Sequence, residues 1–334
     1  MTKSAKVLVT GGAGYIGSHM VLALLDAGYS PLILDNFSTG HYKNIAHIVD
    51  NTNFTFIDGD IRDFNVCQEV TKYVDVVLHQ AALGSVPRSI KDPRTTNDVN
   101  VSGFLNIMEA SRQNGVERFI YASSSSVYGI KEEESVTEDL KAEPITDYSK
   151  FKLECENILL NHEGNFHKTI IRPATVCGYS ERQRLDVIVN ILTNHAYFNK
   201  KIIIHGGEQL RPNIHIDDMS ESYIHVINNS KISDNEIFNV GDENHSVSKL
   251  AEMVKEACPY AELIKEKVID QRSYKISSEK IYNKIGFKTR KTIKDAIDDL
   301  VKAFSEKKLF NSFENEEFYN IKIIKKKLKL LLND

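Results

Sequence analysis

Tyr148 and Lys152 stand four residues apart in a segment whose apolar residues Phe151, Leu153, Ile158 and Leu159 predict a helix from Tyr148 to about Leu160. Both side chains then lie on one helix face and reach one reacting centre. A phenol of pKa near ~10 is a poor base at neutral pH, and a neighbouring ammonium lowers that value by stabilising the phenolate. Upstream, the run Ser123-Ser-Ser-Ser126 follows the predicted strand Arg118-Phe-Ile-Tyr121, at the end of a parallel strand where open α/β sheets place their ligands. Base, cation and hydroxyl together suit removal of a proton from an alcohol. The same spacing recurs at Tyr197 and Lys201 without a serine run beside it, and that pair is expected to be coincidental.

These groups need a sheet beneath them, and its first turn is legible. The strand Ala5 to Val9 runs into Gly11, Gly14 and Gly17 and then into an amphipathic helix from Ser18 to Ala27. Glycines so spaced turn tightly, let a pyrophosphate approach and pack helix on strand, while the helix N-terminus aims its N–H groups at the phosphate charge. A second strand, Pro31-Leu-Ile-Leu34, ends on Asp35. A carboxylate there accepts hydrogen bonds from the adenosine ribose and repels a 2′-phosphate, which selects NAD over NADP. Nothing from Asn36 to His41 supplies an arginine for such a phosphate. Further strands are expected at Phe54 to Ile57, Val74 to Leu78, Thr169 to Ile171, Ile202 to Ile204, Asn213 to Ile216 and Ile237 to Val240. Helices are expected over Asn97 to Gln113, Asp186 to Ala196, from near Ser246, Ser278 to Ile285 and Thr292 to Phe304. Repeated βα units predict an α/β, Rossmann-type, doubly wound parallel sheet. Residues 1–172 are read as the NAD-binding domain and 173–334 mainly as a smaller α/β substrate lobe, with some segments returning to the first domain. The acidic stretch Lys131 to Glu143 is read as a solvated surface loop, and the lysine- and leucine-rich tail from Phe318 to Leu332 as a terminal helix packed on the domain.

A formal net charge of −4, from 42 basic and 46 acidic residues, gives no reason to expect nucleic acid or a membrane surface as partner. Cys67, Cys155, Cys177 and Cys258 form no C-x-x-C pair, so neither a disulfide framework nor a metal site is expected. The first strand begins within a few residues of Met1 and no apolar run approaches ~20 residues, which reads as a soluble, cytoplasmic protein.

Thr10-Gly-Gly-Ala-Gly-Tyr-Ile-Gly17, Asp35, His79-Gln-Ala-Ala82, Tyr121-Ala-Ser-Ser-Ser-Ser-Val-Tyr-Gly129 and Tyr148-x-x-x-Lys152 resemble the extended short-chain dehydrogenase/reductases. Within them the chain is most similar to the nucleotide-sugar epimerases and dehydratases of the UDP-hexose 4-epimerase branch. The resemblance implies NAD as cofactor, a UDP-sugar as the substrate, and C4 oxidised to a transient ketone and reduced again on the other face. It makes Ser124 the catalytic serine, Tyr148 the base and Lys152 the cofactor-binding lysine. Around the cofactor it sets Gly11, Gly14, Tyr15, Ile16 and Gly17 at the turn, and Asp35, Asn36, Ser38 and Gly40 after the second strand. Asp60 and Ile61 fall at the adenine, with Gln80, Ala81, Ala82, Asn100 and Pro173 completing that site. For the substrate it implies Ser85, Arg88, Ser125, Ser126, Thr175 and Tyr274, with Arg211 and Arg272 on the diphosphate. It also implies a homodimer joined through helices around Val99 to Gln113 and Tyr148 to Leu160.

The second half departs from the pattern. Where the epimerases carry an asparagine against the nucleotide, this chain reads Arg172-Pro-Ala-Thr175-Val-Cys-Gly178, and the base preference stays open. The stretch Ala82 to Ser89 resembles the subgroup acting on N-acetylhexosamines, whereas Tyr274 falls where a bulky tyrosine excludes an N-acetyl group, so the sugar stays open too. A 4,6-dehydratase is disfavoured, because dehydratases carry an acidic pair where this chain has Ser125 and Ser126, and a hydroxyl does not replace a carboxyl as acid and base near neutral pH. Two alternatives remain: a reductase of nucleotide-linked 4-ketosugars, and a non-catalytic nucleotide-binding regulator on the same scaffold, against which Tyr148 and Lys152 count.

Overall fold

The computed structural model describes residues 5–48, 53–164, 166–241, 243–267, 273–320 and 322. Its strands are β1 (Lys6–Thr10), β2 (Ser30–Asp35), β3 (Thr55–Asp58), β4 (Val76–His79), β5 (Arg118–Ala122), β6 (His167–Pro173), β7 (Thr175–Cys177), β8 (Lys201–His205), β9 (Leu210–His215), β10 (Glu236–Val240), β11 (Glu243–Ser246) and β12 (Glu262–Glu266). Seven of them form one parallel sheet in the order β10-β6-β5-β4-β1-β2-β3. The order reverses between β1 and β4, and a crevice opens above the carboxyl ends of the strands at such a point.

The sheet is apolar on both faces because helices cover both. Val7 and Val9 of β1 pack into one buried cluster with Met20, Ile33, Ile120 and Phe238, while Leu8 points to the other, with Leu34, Val77, Phe104 and Phe119. The helices Tyr15–Asp26 and Ile216–Asn228 lie on the first face, and Gly103–Gln113 and Asp147–Asn161 on the second. β10 arrives from beyond residue 173 and pairs with β6, so the chain returns to the main sheet after it has left. A third cluster, with Val189, Ile202, Leu250 and Ile297, unites β8 with the helices Ile188–Asn194, Val247–Ala257 and Ile293–Ser305 beside the crevice.

Several expectations are refined. The first helix begins at Tyr15 rather than Ser18, directly after Gly14. The segment before Gly103 winds as a π-helical turn, Asp98–Ser102. Within the acidic stretch, Val136 is fully buried and its N–H bonds Lys275 O at 2.8 Å, while Glu138 accepts from Asn239 N at 2.7 Å. The stretch is therefore docked in part: its one valine takes the apolar contact and Glu138 takes a backbone donor. Tyr197 packs against Phe304, ring centroids 5.3 Å apart, while Lys201 opens β8, so helical spacing never applies to that pair. Most of the basic tail lies outside the described residues.

Candidate active site

A cavity of about 380 Å³ opens above β1, β4 and β5 and runs from the glycine turn to the serine run. At the turn Gly11 has φ +73°, donates to Leu34 O at 2.8 Å, and lies where a Cβ would come 2.9 Å from Ala81 Cα. A Cβ on Gly17 would fall 2.1 Å from Gly11 O. Both positions therefore exclude a side chain. Gly14 lines the cavity and caps the helix Tyr15–Asp26 without any side-chain hydrogen bond, and the free N–H groups of a first turn attract an anion.

Asp35 closes this end. Its Oδ2 accepts from Ala13 N at 2.9 Å and its Oδ1 from Phe37 N at 2.8 Å. Burial pushes its carboxyl above the usual carboxylate range, against the pull of those two donors and of Arg182. Burial also raises Asp60, but Arg62, at 2.6 Å, and Asn36, at 2.8 Å, hold it below its ordinary value overall. Ile61 and Ser38 stand on the same wall. Gly40 lies beneath it, where a Cβ would meet Asp35 Oδ1 at 3.0 Å. At the middle, Ala81 and Ala82 leave room, and Gln80 has both side-chain polar atoms buried with no partner among the described residues. Orphaned donor and acceptor atoms on a cavity wall are the mark of a ligand site, so turn, carboxylate and amide fit a dinucleotide. Asn100 sits behind the wall, its Oδ1 accepting from Leu83 N at 2.8 Å.

At the other end β5 delivers Ser124, Ser125 and Ser126, and the helix Asp147–Asn161 delivers Tyr148 and Lys152. Thr146 and Ser149 form a capping box that fixes where that helix starts, and hence where its first face points. Lys152 is 3% exposed; its Nζ donates to Ala122 O at 2.6 Å and lies 6.0 Å from the Tyr148 ring centroid. Burial draws its pKa down to about 8. Burial raises Tyr148, while the charge of Arg184 and a hydrogen bond with Ser124 pull the other way. Ser124 Oγ lies 2.9 Å from Ser126 Oγ, and Ser125 Oγ lies 3.1 Å from Tyr274 OH. Beneath them Ser123 bonds Glu156, which holds the buried Arg172 at 2.6 Å, and Arg172 reaches Tyr128 OH at 2.8 Å.

Ser85, Pro173, Thr175 and Tyr274 also line the cavity. Arg88, Arg211, Gly40 and Asn100 do not line it, and Arg272 lies outside the described residues. Sequence reasoning missed Arg182 and Arg184, both on the wall, and Met219 and Tyr223, one helical turn apart on Ile216–Asn228. Arg182 donates through Nε to Thr39 O at 3.2 Å, and burial lowers its pKa to about 10. Arg184 pairs with Asp186 at 2.7 Å. Their only trace in the sequence is an Arg-x-Arg in a segment without apolar period. Among the described residues no cluster of three or more His, Cys, Asp or Glu could hold a metal, and no helix is long and apolar enough to cross a membrane.

Residues 7–241 match the model of the NAD dependent epimerase/dehydratase family. A putative UDP-glucose 4-epimerase of Methanocaldococcus jannaschii is 31% identical over 304 residues, 88% of this chain and 97% of that protein. The human dTDP-D-glucose 4,6-dehydratase is 29% identical over 329 residues, 93% of each chain. The solved UDP-glucose 4-epimerase of Thermotoga maritima, with UDP-glucose, superposes with a TM-score of 0.83 at 28% identity over 90% of this chain and 99% of that one.

Proposed function

Since the chain belongs to the NAD-dependent epimerase/dehydratase family, enzymes of the short-chain dehydrogenase/reductase type, we propose that it inverts C4 of a nucleoside-diphosphate hexose, a UDP-sugar, through a transient 4-ketone. NAD would lie along the wall from Asp60 and Asp35 past the glycine turn to Lys152, and when bound it supplies a reversible hydride acceptor. Tyr148 takes the proton of the C4 hydroxyl and returns it once the ketone has turned in the cleft. Lys152 and Arg184 supply positive charge that opposes the burial of the Tyr148 phenolate. Ser124, within hydrogen-bond reach of Tyr148, holds the sugar oxygen, and closing the cavity keeps water from the ketone. A second copy pairing through Gly103–Gln113 and Asp147–Asn161 belongs to the same reading.

One observation carries this choice over a dehydratase. Among the described residues lining the cavity the carboxylates are Asp35 and Asp60, at the ends of β2 and β3. Three strand spacings, ~14 Å, separate β2 from the serine run on β5. Among the described lining residues no pair of carboxyls stands at the Tyr148 end to work at C5 and C6, as elimination of water requires.

The test is protein purified without added cofactor and given a panel of UDP-, GDP-, CDP- and dTDP-hexoses. It should release NAD or NADH on denaturation and interconvert two C4 epimers with no dinucleotide supplied. Protein that emerges empty and acts on a 4-ketosugar only with stoichiometric reduced dinucleotide is a reductase. A 4-keto-6-deoxy product makes it a dehydratase, and binding without turnover a regulator.

A further inference from the structure

The C-terminal segment does more than cover the fold. Leu309 and Phe318 pack with Leu185, Leu300 and Phe304 in a cluster of their own. Leu185 N bonds Phe318 O at 2.9 Å, and Glu317 pairs with Lys43. These contacts carry Asn320, 8% exposed, to the cavity wall. There its Nδ2 donates to Gly84 O at 3.1 Å, its Oδ1 accepts from Arg182 Nη2 at 2.6 Å, and its N–H reaches Asp186 Oδ2 at 3.1 Å. Arg182 Nε in turn donates to Thr39 O at 3.2 Å.

Gly84 belongs to the loop after β4, and Thr39 to the loop after β2. Those strands flank β1 on its two sides, and β1 ends in the glycine turn. The series Gly84–Asn320–Arg182–Thr39 therefore joins the two loops on either side of that turn, and Gly11, Gly14, Thr39, Gly84, Arg182 and Asn320 all face one cavity. A dinucleotide laid along the strand ends from Asp35 to Lys152 has to pass the glycine turn between those loops.

We propose that Asn320 is a positioning residue that closes a hydrogen-bonded bridge over the bound dinucleotide, and that the segment Leu309–Asn320 is a strap that opens before the cofactor exchanges. The proposal rests on the dinucleotide reading above. It gives the retention of cofactor a physical cause: exchange waits on breaking two side-chain hydrogen bonds that no residue of the glycine turn supplies.

The full-length chain and its Asn320→Ala and Asn320→Asp variants are loaded with NAD and chased with the fluorescent analogue etheno-NAD. Losing two hydrogen bonds should speed exchange in the alanine variant on the order of tenfold; the same loss takes an acceptor from the buried Arg182, so the cofactor-free variant should also melt somewhat earlier. The aspartate variant, which keeps an acceptor for Arg182 and loses the donor to Gly84, should fall between, and it decides the matter if the alanine variant unfolds early. Exchange at the wild-type rate in both, or tighter retention, overturns the bridge. A wild-type chain that takes up no NAD overturns the dinucleotide reading itself and the bridge with it, which is seen before any variant is compared.

Discussion

Lys152→Met removes a charge that the folded chain holds at a cost. The ammonium is 3% exposed, has Ala122 O as its hydrogen-bond acceptor, and has its pKa drawn from 10.5 to about 8 by burial. At 1.36 kcal/mol per pH unit, the cost of keeping it protonated at pH 7 is about 3 kcal/mol. Methionine fills similar volume and escapes that cost, but it leaves the Ala122 carbonyl without its donor, a loss of about 1–3 kcal/mol. The cofactor-free variant should therefore be more stable than wild type at pH 7 by at most about 2 kcal/mol, while turnover falls. The sign depends on pH. Below pH 8 folded and unfolded lysine are both protonated and the cost is full; between 8 and 10.5 the folded chain binds fewer protons than the unfolded one, so wild-type stability rises relative to the variant. Above 10.5 the advantage of methionine is gone. Urea unfolding of both proteins at pH 7, 9 and 10.5 reads this directly. A difference between the two proteins that does not move in favour of wild type from pH 7 to pH 10.5 would show that the ammonium is not desolvated as described.

Tyr148→Phe should keep the fold and bound NAD yet lower turnover by a factor on the order of 10² or more, the scale of losing a general base; near-normal activity would remove Tyr148 from the mechanism. Calorimetry on cofactor-stripped protein should find NAD bound more tightly than NADP, because a 2′-phosphate would meet Asp35. Arg182, which reaches Thr39 O beside that carboxylate, works against the preference, so tighter NADP binding would mean that its charge wins. Glu156→Gln removes the charge partner of the buried Arg172 and should cost about 3–5 kcal/mol in unfolding free energy; a loss below 1 kcal/mol in a urea titration would mean that the pair is not structural.

What was legible in the sequence is what lies close in the sequence. The glycine turn, Asp35, the serine run and the Tyr148–Lys152 helix are each set by local rules: a forced positive φ at Gly11, a strand end, a capping box at Thr146. The remaining wall residues come from far along the chain. Arg182, Tyr223 and Asn320 reach the cavity through the fold alone, and no period or motif marks them. β11 and β12 were missed because they are polar edge segments: Glu262–Glu266 buries only part of Ile264 among exposed neighbours, and Glu243–Ser246 is half-buried throughout. Tyr197 and Lys201 make the opposite point, since one residue of that pair belongs to a helical turn and the other to a strand.

The charges along the cavity are sorted, and the sorting bears on which part of each ligand goes where. Both lining carboxylates, Asp35 and Asp60, stand at the β2–β3 end, and each accepts hydrogen bonds, which suits ribose hydroxyls and an adenine amine rather than phosphate. Toward β5 the lining turns to hydroxyls and cations: Ser124, Ser125, Ser126, Tyr148, Lys152 and Arg184. Arg182, on the wall by Thr39, offsets part of the negative charge at the first end, while Lys152 and Arg184 make the second end the more favourable one for an anionic diphosphate. Under the proposed function, a nucleotide sugar entering that second end would bring its own negative charge beside Arg184, the group whose positive charge opposes the raised pKa of Tyr148. On that reading, substrate diphosphate near Arg184 would weaken that help and leave the phenolate to Lys152, which is buried and donates to the carbonyl of Ala122. Under the proposed function, a lysine kept charged in the core at a cost in stability would let one tyrosine exchange a proton with the sugar while the diphosphate occupies the cation nearer the cleft.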